Sequence, residues 1–536
     1  MSNVTVAPTA VTATASVGTV SASINTIPIS GAVITFSSVK DSTTCTINHT
    51  GHGALAGDFV TFTNVDLVSE LSSIITLLEK EHEITSVTNA NIYTITLTSN
   101  PQSTLTDSGL IEAEYQLNRG STTQLLGSGW GAGTWGADGW GLASSEQIST
   151  TTGLRIYTQD NFGEDLILCP REGELFFWRE NDGLSTRAFA ISDLSDSVPL
   201  KNRQVMVTSD RHVVVFGTTA VGSTELDRLL IRFSDQENAF DWLPTATNTA
   251  GDLRVEDGST IMQAVKTRRE IIVLTDTSVH TMQFIGQPFT FGISRISSNT
   301  SAISPMGAVA VEDAVFWMGK NRFYVYEGRV QPIPCTVRDH VFDNLNESAV
   351  EKIVAGVNSE FGEVFWFYPS GSSTENDKYV VYNYEQKIWY VGAFGRTAWL
   401  DKGIYEYPMA SVETLIYNHE KTNDDDGTAM SAFIESSPMD MGDGDNFTFI
   451  QKLIPDISFA KSDASATNQA TFTLKGQRFP GTGFETSKAI TVGDDATQNY
   501  VRVRGRSFGL RVESSNVQMN WRLGSPRVDI KNDGKR

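Results

Sequence analysis

The sequence predicts an all-β protein, with a β-propeller core, a small inserted β-domain and a C-terminal β-sandwich-like domain. Three observations predict it. Short runs rich in Val, Ile, Phe, Tyr and Trp recur along the chain, bounded by Gly, Asn, Asp and Ser. Three- and four-residue periodicity is confined to Leu67, Leu71, Ile74, Ile75 and Leu78, which predicts one helix over 66–80. The 536 residues, 40% hydrophobic and 10% aromatic, suffice for about three domains with their own cores.

In chain order, residues 1–31 are low-complexity and rich in Thr, Ser, Ala and Val, which suits an extended arm that needs a partner surface. Residues 32–118 carry Val33-Ile34-Thr35-Phe36, Phe59-Val60-Thr61-Phe62 and Ile92-Tyr93-Thr94-Ile95-Thr96-Leu97, alternating patches of a small β-domain interrupted by the helix. Residues 119–150 form a Gly/Trp-rich linker. Its Trp130, Trp135 and Trp140 recur every five residues, a period of neither strand nor helix, and read as aromatic anchors in a flexible backbone.

Residues 151–420 change character again. Glu174-Leu-Phe-Phe-Trp178, His212-Val-Val-Val-Phe216, Glu270-Ile-Ile-Val-Leu274, Ala314-Val-Phe-Trp317 and Glu363-Val-Phe-Trp-Phe367 are among the strongly β segments separated by turn chemistry. Hairpin pairs recur about every 40–50 residues, the spacing of four-stranded blades, and predict a propeller of about five or six. The stretch 421–446, with Asp424-Asp425-Asp426-Gly427, is an acidic, Gly-rich boundary. Residues 447–536 alternate again as strands of the terminal domain. From 499 onward nine basic residues face three acidic ones. Arg502, Arg504 and Arg506 share one strand face by their period of two, and with Arg511 they form a candidate docking face for an acidic neighbour.

Charge and composition exclude several classes of function. With 41 Lys and Arg against 63 Asp and Glu, the net charge of −22 disfavours a phosphate-gripping surface. No run of about 18 apolar residues spans a bilayer as a helix, and the N-terminus lacks the basic and greasy parts of a signal peptide. Three widely spaced cysteines argue for synthesis in a reducing cytoplasm rather than for a disulfide framework.

Catalytic and metal motifs fail on context. Gly505-Arg-Ser507-Phe-Gly509 has the string of a nucleophile elbow, but strand-like residues follow it and no His lies beyond Ser507. Cys45, His49 and His52 lack a fourth ligand at a usual spacing. Placing Gly427 at position six of a calcium loop puts Phe433 where a bidentate Glu is required. Ser234 to Trp242 is similar to the Asp-box turn of sialidase propellers but departs in spacing and lacks the turn glycine. It reads as a blade-edge turn capped by a buried Trp. No catalytic residue, metal site or cofactor is assigned, and the chain is expected not to be an enzyme.

Seven ordered blocks carry a family resemblance: Arg155–Asp165, Leu229–Trp242, Thr245–Leu253, Pro288–Gly292, Phe323–Gln331, Ala355–Val364 and Trp521–Arg527. Together they resemble the tail nozzle, or tail stabilisation, proteins of tailed bacteriophages over residues 30–536. The module around Gly51-His52-Gly53 and Gly57-Asp58-Phe59-Val60 is similar to a small β-domain of such proteins. The resemblance implies a non-enzymatic virion protein made in the bacterial cytoplasm. It implies a hexameric ring below the portal and adaptor of a short tail, which continues the DNA ejection conduit. Its partners would be further copies, the adaptor and tail fibre, tailspike or needle proteins, and genomic DNA would pass without specific binding. Many relatives begin with an extra strand-rich stretch where this chain has only its arm, which leaves the blade count open and suggests that the arm completes a neighbour. The alternative class is a propeller-based carbohydrate- or receptor-binding tail protein, favoured by Trp130, Trp135 and Trp140. A glycosidase ranks third.

Overall fold

The computed structural model describes residues 4–5, 32–116 and 154–534, apart from 53, 55, 64, 66–76, 98, 100, 102–103, 184–185, 187, 287–288, 413–414 and 443. The described residues are nearly all β, with 51% of them in strands and 4% in helix. It divides into two compact units, Thr9–Thr397 and Met1–Pro8 with Ala398–Arg536. The division falls upstream of the acidic segment 421–446.

Residues 32–116 form a closed six-stranded antiparallel barrel of Ala32–Ser38, Thr44–Asn48, Phe59–Thr63, Glu81–Asn89, Ile92–Thr96 and Leu105–Gln116. Closure leaves no unpaired strand edge, and alternate residues such as Ile34 and Phe36 or Tyr93 and Ile95 fill one core. Of the helix expected over 66–80, residues 66–76 lie outside the described residues, and Leu77 and Leu78 are helical. The expectation of a single helix needs correction. Among the described residues Arg338–Phe342 is also helical and three 3-10 segments occur, each too short to leave a sustained helical periodicity.

Five four-stranded antiparallel meanders follow in chain order. Sheet 1 comprises Tyr157–Phe162, Asp165–Pro170, Phe176–Trp178 and Phe189–Ala190, and sheet 2 Asn202–Val207, Val213–Thr219, Leu226–Phe233 and Gly251–Arg254. Sheet 3 comprises Ile261–Lys266, Ile271–Thr275, Ser278–Gly286 and Thr290–Ser298, and sheet 4 Ala308–Val311, Ala314–Met318, Phe323–Tyr326 and Val330–Ile333. Sheet 5 is Val354–Asn358, Glu363–Tyr368, Lys378–Asn383 and Ile388–Gly392.

The second strands explain the unbroken apolar runs of the sequence. Val213 and Val215 join a core shared with sheet 1, while Val214 and Phe216 join one shared with sheet 3. Ile271 and Val273 face sheet 2, and Ile272 and Leu274 face sheet 4. Val315 and Trp317 pack with sheet 3, and Phe316 and Met318 with sheet 5. Side chains alternate with a period of two, so a strand covered on both faces must be apolar at every position.

First strands of successive sheets are tied by side chains that act as backbone. The Gln204 amide donates to Ala264 O and accepts from Ala264 N, both at 2.7 Å. Gln263 repeats the exchange one sheet on, donating to Ala308 O and accepting from Ala308 N at 2.9 Å. Thr158 Oγ1 accepts from Val205 N at 3.0 Å, and Ala355 N donates to Met306 O at 2.8 Å. Arg203 serves the same end, donating to Thr260 Oγ1 and to Ile261 O, while the buried Arg232 on the third strand of sheet 2 ties that sheet to its own loops through the carbonyls of Thr219, Ser197 and Trp242.

In the other unit, Val4–Thr5 pairs with Leu415–Asn418 as the fourth strand of a sheet completed by Met409–Val412 and Ala398–Leu400. Beyond it, a sheet built around Gln469–Gln477 and Ser507–Ser514 and a three-stranded sheet of Asn499–Gly505, Thr448–Ile454 and Arg527–Asn532 share one core, which includes Ile450, Phe472, Val503 and Val512. Among the described residues no helix is long and apolar enough to cross a membrane.

Candidate functional site

First strands lie side by side in sheets 1–4, so the turn ending each first strand falls at a common end. These four turns converge on a cavity of about 640 Å³. Gly163 comes from sheet 1, Thr208–Arg211 from sheet 2, Thr267–Glu270 from sheet 3 and Glu312 from sheet 4. Arg211 and Glu312 hold φ of 62° and 54°, the left-handed conformation that tight turns require and that costs a side-chain-bearing residue about 1–2 kcal/mol. Sheet 3 supplies an aromatic wall, Phe284 and Phe291, with ring centroids 5.7 Å apart. His212 packs behind it, 5.8 Å from Phe284 and 5.2 Å from Phe291. Its Nε2 lies 3.1 Å from Thr249 Oγ1, and burial pushes its pKa below the usual value, so it is a neutral wedge at pH 7.

Many of the charges here are already committed. Lys266 Nζ lies 2.9 Å from Asp160 Oδ2 and donates to Val207 O. Glu270 accepts from Tyr326 at 2.5 Å and from Gln283 at 2.9 Å, and Arg269 lies 3.5 Å from Asp313. The Arg211 guanidinium sits 4.9 Å from the Phe162 ring centroid. The side chains of Arg211, Arg268, Asp210 and Glu312 have no hydrogen bond or ion pair among the described residues, and Phe284 is 45% exposed. The site therefore offers donors, acceptors and an aromatic face in one concavity.

The residues singled out by sequence lie elsewhere. Arg502 and Arg504 occupy one face of Asn499–Gly505, opposite the inward Val501 and Val503, and Arg506 follows that strand. Arg502 is exposed. Arg504 is paired with Asp533 at 2.5 Å, and its guanidinium lies 4.1 Å from the Phe447 centroid, with Arg506 at 4.9 Å from the same ring. Arg511 belongs to Ser507–Ser514 in the other sheet, where Glu435 and Glu513 hold it at 2.9 and 2.8 Å. Trp130, Trp135 and Trp140 lie outside the described residues.

Ser507 opens a strand, is buried and donates to Asp440 at 2.6 Å, so the GxSxG string is the structural crossover between the two sheets of the domain. In the barrel, His49 Nδ1 meets Tyr115 Oη at 2.5 Å and His52 Nε2 meets Asn89 O at 3.1 Å, and both rings stack on Tyr115, which accounts for them as parts of the barrel core. Burial pushes the Cys45 and Cys169 thiols up to about 12. No group of three His, Cys, Asp or Glu side chains suited to a metal occurs among the described residues. The Asp-box-like segment is a structural turn. Asp235 Oδ1 accepts from Thr249 N at 2.8 Å, and the buried Trp242 donates to Ala239 O at 2.8 Å. Asp424 is buried and accepts from Thr422 Oγ1 at 2.7 Å and from Gly427 N.

No family model matches the chain. No curated protein matches it either. Among solved structures it is similar to the extracellular domain of a one-component system of B. thetaiotaomicron, at TM-score 0.34 and 10% identity, covering 65% of this chain and 46% of that one. The computationally designed Ika8 protein gives TM-score 0.31 and 10% identity over 50% of this chain and 71% of the other. An endosialidase of phage phi92 gives 0.18 and 12% over 62% and 45%. Likenesses at this level carry no argument about function.

Proposed function

We propose that the chain is a structural, non-enzymatic subunit of a bacteriophage tail, which forms a ring below the portal and adaptor and continues the DNA ejection conduit. In this reading sheets 1–5 are blades of a propeller. The observation that carries it is the match between the family-like blocks and the repeating hairpins. Arg155–Asp165 covers the first strand of sheet 1 and its turn, Phe323–Gln331 the third strand of sheet 4 with the turn into the fourth, and Ala355–Val364 most of the first strand of sheet 5 with the turn into the second. Two features support an assembly role. The N-terminal strand serves as the fourth strand of a sheet near the other end of the chain, and an arm of this kind is suited to strand exchange with a neighbouring copy. The charge of −22 per chain also lets DNA pass without the counterion release that makes basic surfaces hold it.

The test is mass photometry of the purified chain mixed with its cognate adaptor, together with electron microscopy of virions labelled by an antibody to this chain. Rings on the adaptor and label at the tail are expected. Monomers alone, with unlabelled tails, would overturn the reading. A second reading, a carbohydrate- or receptor-binding tail protein, is favoured by the cavity on sheets 1–4.

A further inference from the structure

We propose that the cavity at the first turns of sheets 1–4 is a binding site for a neutral glycan, with a sugar ring stacked on Phe284 and its hydroxyls held by Arg268, Arg211, Asp210 and Glu312. The inference gives the second reading a location and rests on it, and it is independent of ring assembly. Size is the first argument. About 640 Å³ lies within the roughly 300–1,000 Å³ of cavities that enclose small ligands.

Charge is the second argument and selects the ligand class. Lys266 is offset by Asp160, Arg269 by Asp313, and Glu270 is spent on Tyr326 and Gln283. The uncommitted groups are then two guanidiniums and two carboxylates, which balance one another, while Glu270, bonded to neutral donors, keeps its negative charge and sets the site further against an anion. A phosphate or carboxylate ligand meets Asp210 and Glu312, and a cationic one meets Arg211 and Arg268. A hydroxyl suits both signs, since it donates to a carboxylate and accepts from a guanidinium, and each such bond is strengthened by the charge.

The wall is the third argument. A pyranose ring presents a face of C–H bonds that packs on an aromatic ring, and Phe284 is 45% exposed at the cavity. The ring is also held in place, edge-to-face with Phe291 and tilted against His212. Little side-chain freedom is therefore lost on binding. Arg211 and Glu312 sit in left-handed turn positions that a glycine would occupy without strain.

The test uses the full chain and saturation-transfer difference NMR with maltotetraose, tetra-N-acetylchitotetraose and mannotetraose as neutral probes, and with sialyllactose and glucose 1-phosphate as anionic ones. At least one neutral tetrasaccharide is expected to bind. Phe284→Ala and Arg268→Gln are each expected to weaken it about tenfold or more. Both side chains are exposed enough for the variants to fold, which an unchanged circular dichroism melt verifies. No neutral binding at about 10 mM probe, well above a millimolar dissociation constant, would overturn the proposal. Binding of the anionic probes alone would do the same. Neutral binding untouched by both variants but lost in a Trp130→Ala, Trp135→Ala, Trp140→Ala chain would overturn this site while leaving the carbohydrate-binding reading standing.

Discussion

Replacing Gln263 by Leu removes the amide that stands in for a strand between sheets 3 and 4, and its cost follows from the bonds it makes. Gln263 donates to Ala308 O and accepts from Ala308 N, both at 2.9 Å, and Ala308 is buried. Leu has similar bulk but no polar atoms, so both backbone groups of Ala308 lose their partner on that side. Leaving a buried donor or acceptor unsatisfied costs about 1–3 kcal/mol. Gln263 itself is only half-buried, so water recovers part of this, and a total of about 2 kcal/mol is the expectation. The loss is local. Hydrogen exchange read by mass spectrometry should show the amides around Ala308 exchanging about 30-fold faster, with the barrel unchanged. A Gln263→Glu chain separates the two bonds, since a carboxylate still accepts from Ala308 N but faces Ala308 O without a proton. It should fall at or below the Leu variant in stability at pH 7. Protection at Ala308 equal to that of the unaltered chain, in both variants, would refute the role given to these glutamines.

Three further outcomes follow from the structure. Gly251→Ala should lower the urea midpoint by the equivalent of about 1–3 kcal/mol, because its methyl would lie 2.7 Å from the ring of the buried Phe233, whereas alanine at the exposed Gly222 turn is the control for backbone strain alone. Acidification should destabilise the chain in two stages, seen as falling melting temperature across a pH series. Burial holds His49, His212 and His280 below their ordinary value of 6.5, so the unfolded chain takes up protons first, and the stability present above about pH 6.5 declines as pH falls through that value. Hydrogen bonds from Lys475 and Arg511 hold Glu435 below 4.5, which adds a later loss below that pH, and a flat profile from pH 7.5 to 5 would contradict the histidine assignment. If the chain is the tail subunit proposed above, Arg502→Glu should impair incorporation into the virion without a change in melting temperature; Arg504→Glu should in any case lower stability, because Arg504 holds Asp533 and stacks on Phe447.

Much of the architecture was legible one segment at a time. Uninterrupted runs such as Val213-Val214-Val215-Phe216 and Ile271-Ile272-Val273-Leu274 announce strands covered on both faces, since a strand with one solvent face characteristically alternates apolar with polar side chains. The alternation of Val501, Val503 and their arginine neighbours likewise marks a half-exposed strand. The tertiary structure alone decided which distant residues meet. Gln204 and Gln263 read as ordinary polar positions in a strand until the next sheet brings Ala264 and Ala308 against them. The cavity draws Gly163, Asp210, Arg268 and Glu312 from four turns spread over four sheets, each turn unremarkable by itself. Val4–Thr5 carries too few residues for any periodicity, and its pairing with Leu415–Asn418 depends on an open edge formed by residues at the far end of the chain. The physical reason is common to all three. Periodicity records only whether a side chain meets apolar or aqueous surroundings, while hydrogen-bond partners and converging turns depend on the order in which sheets stack.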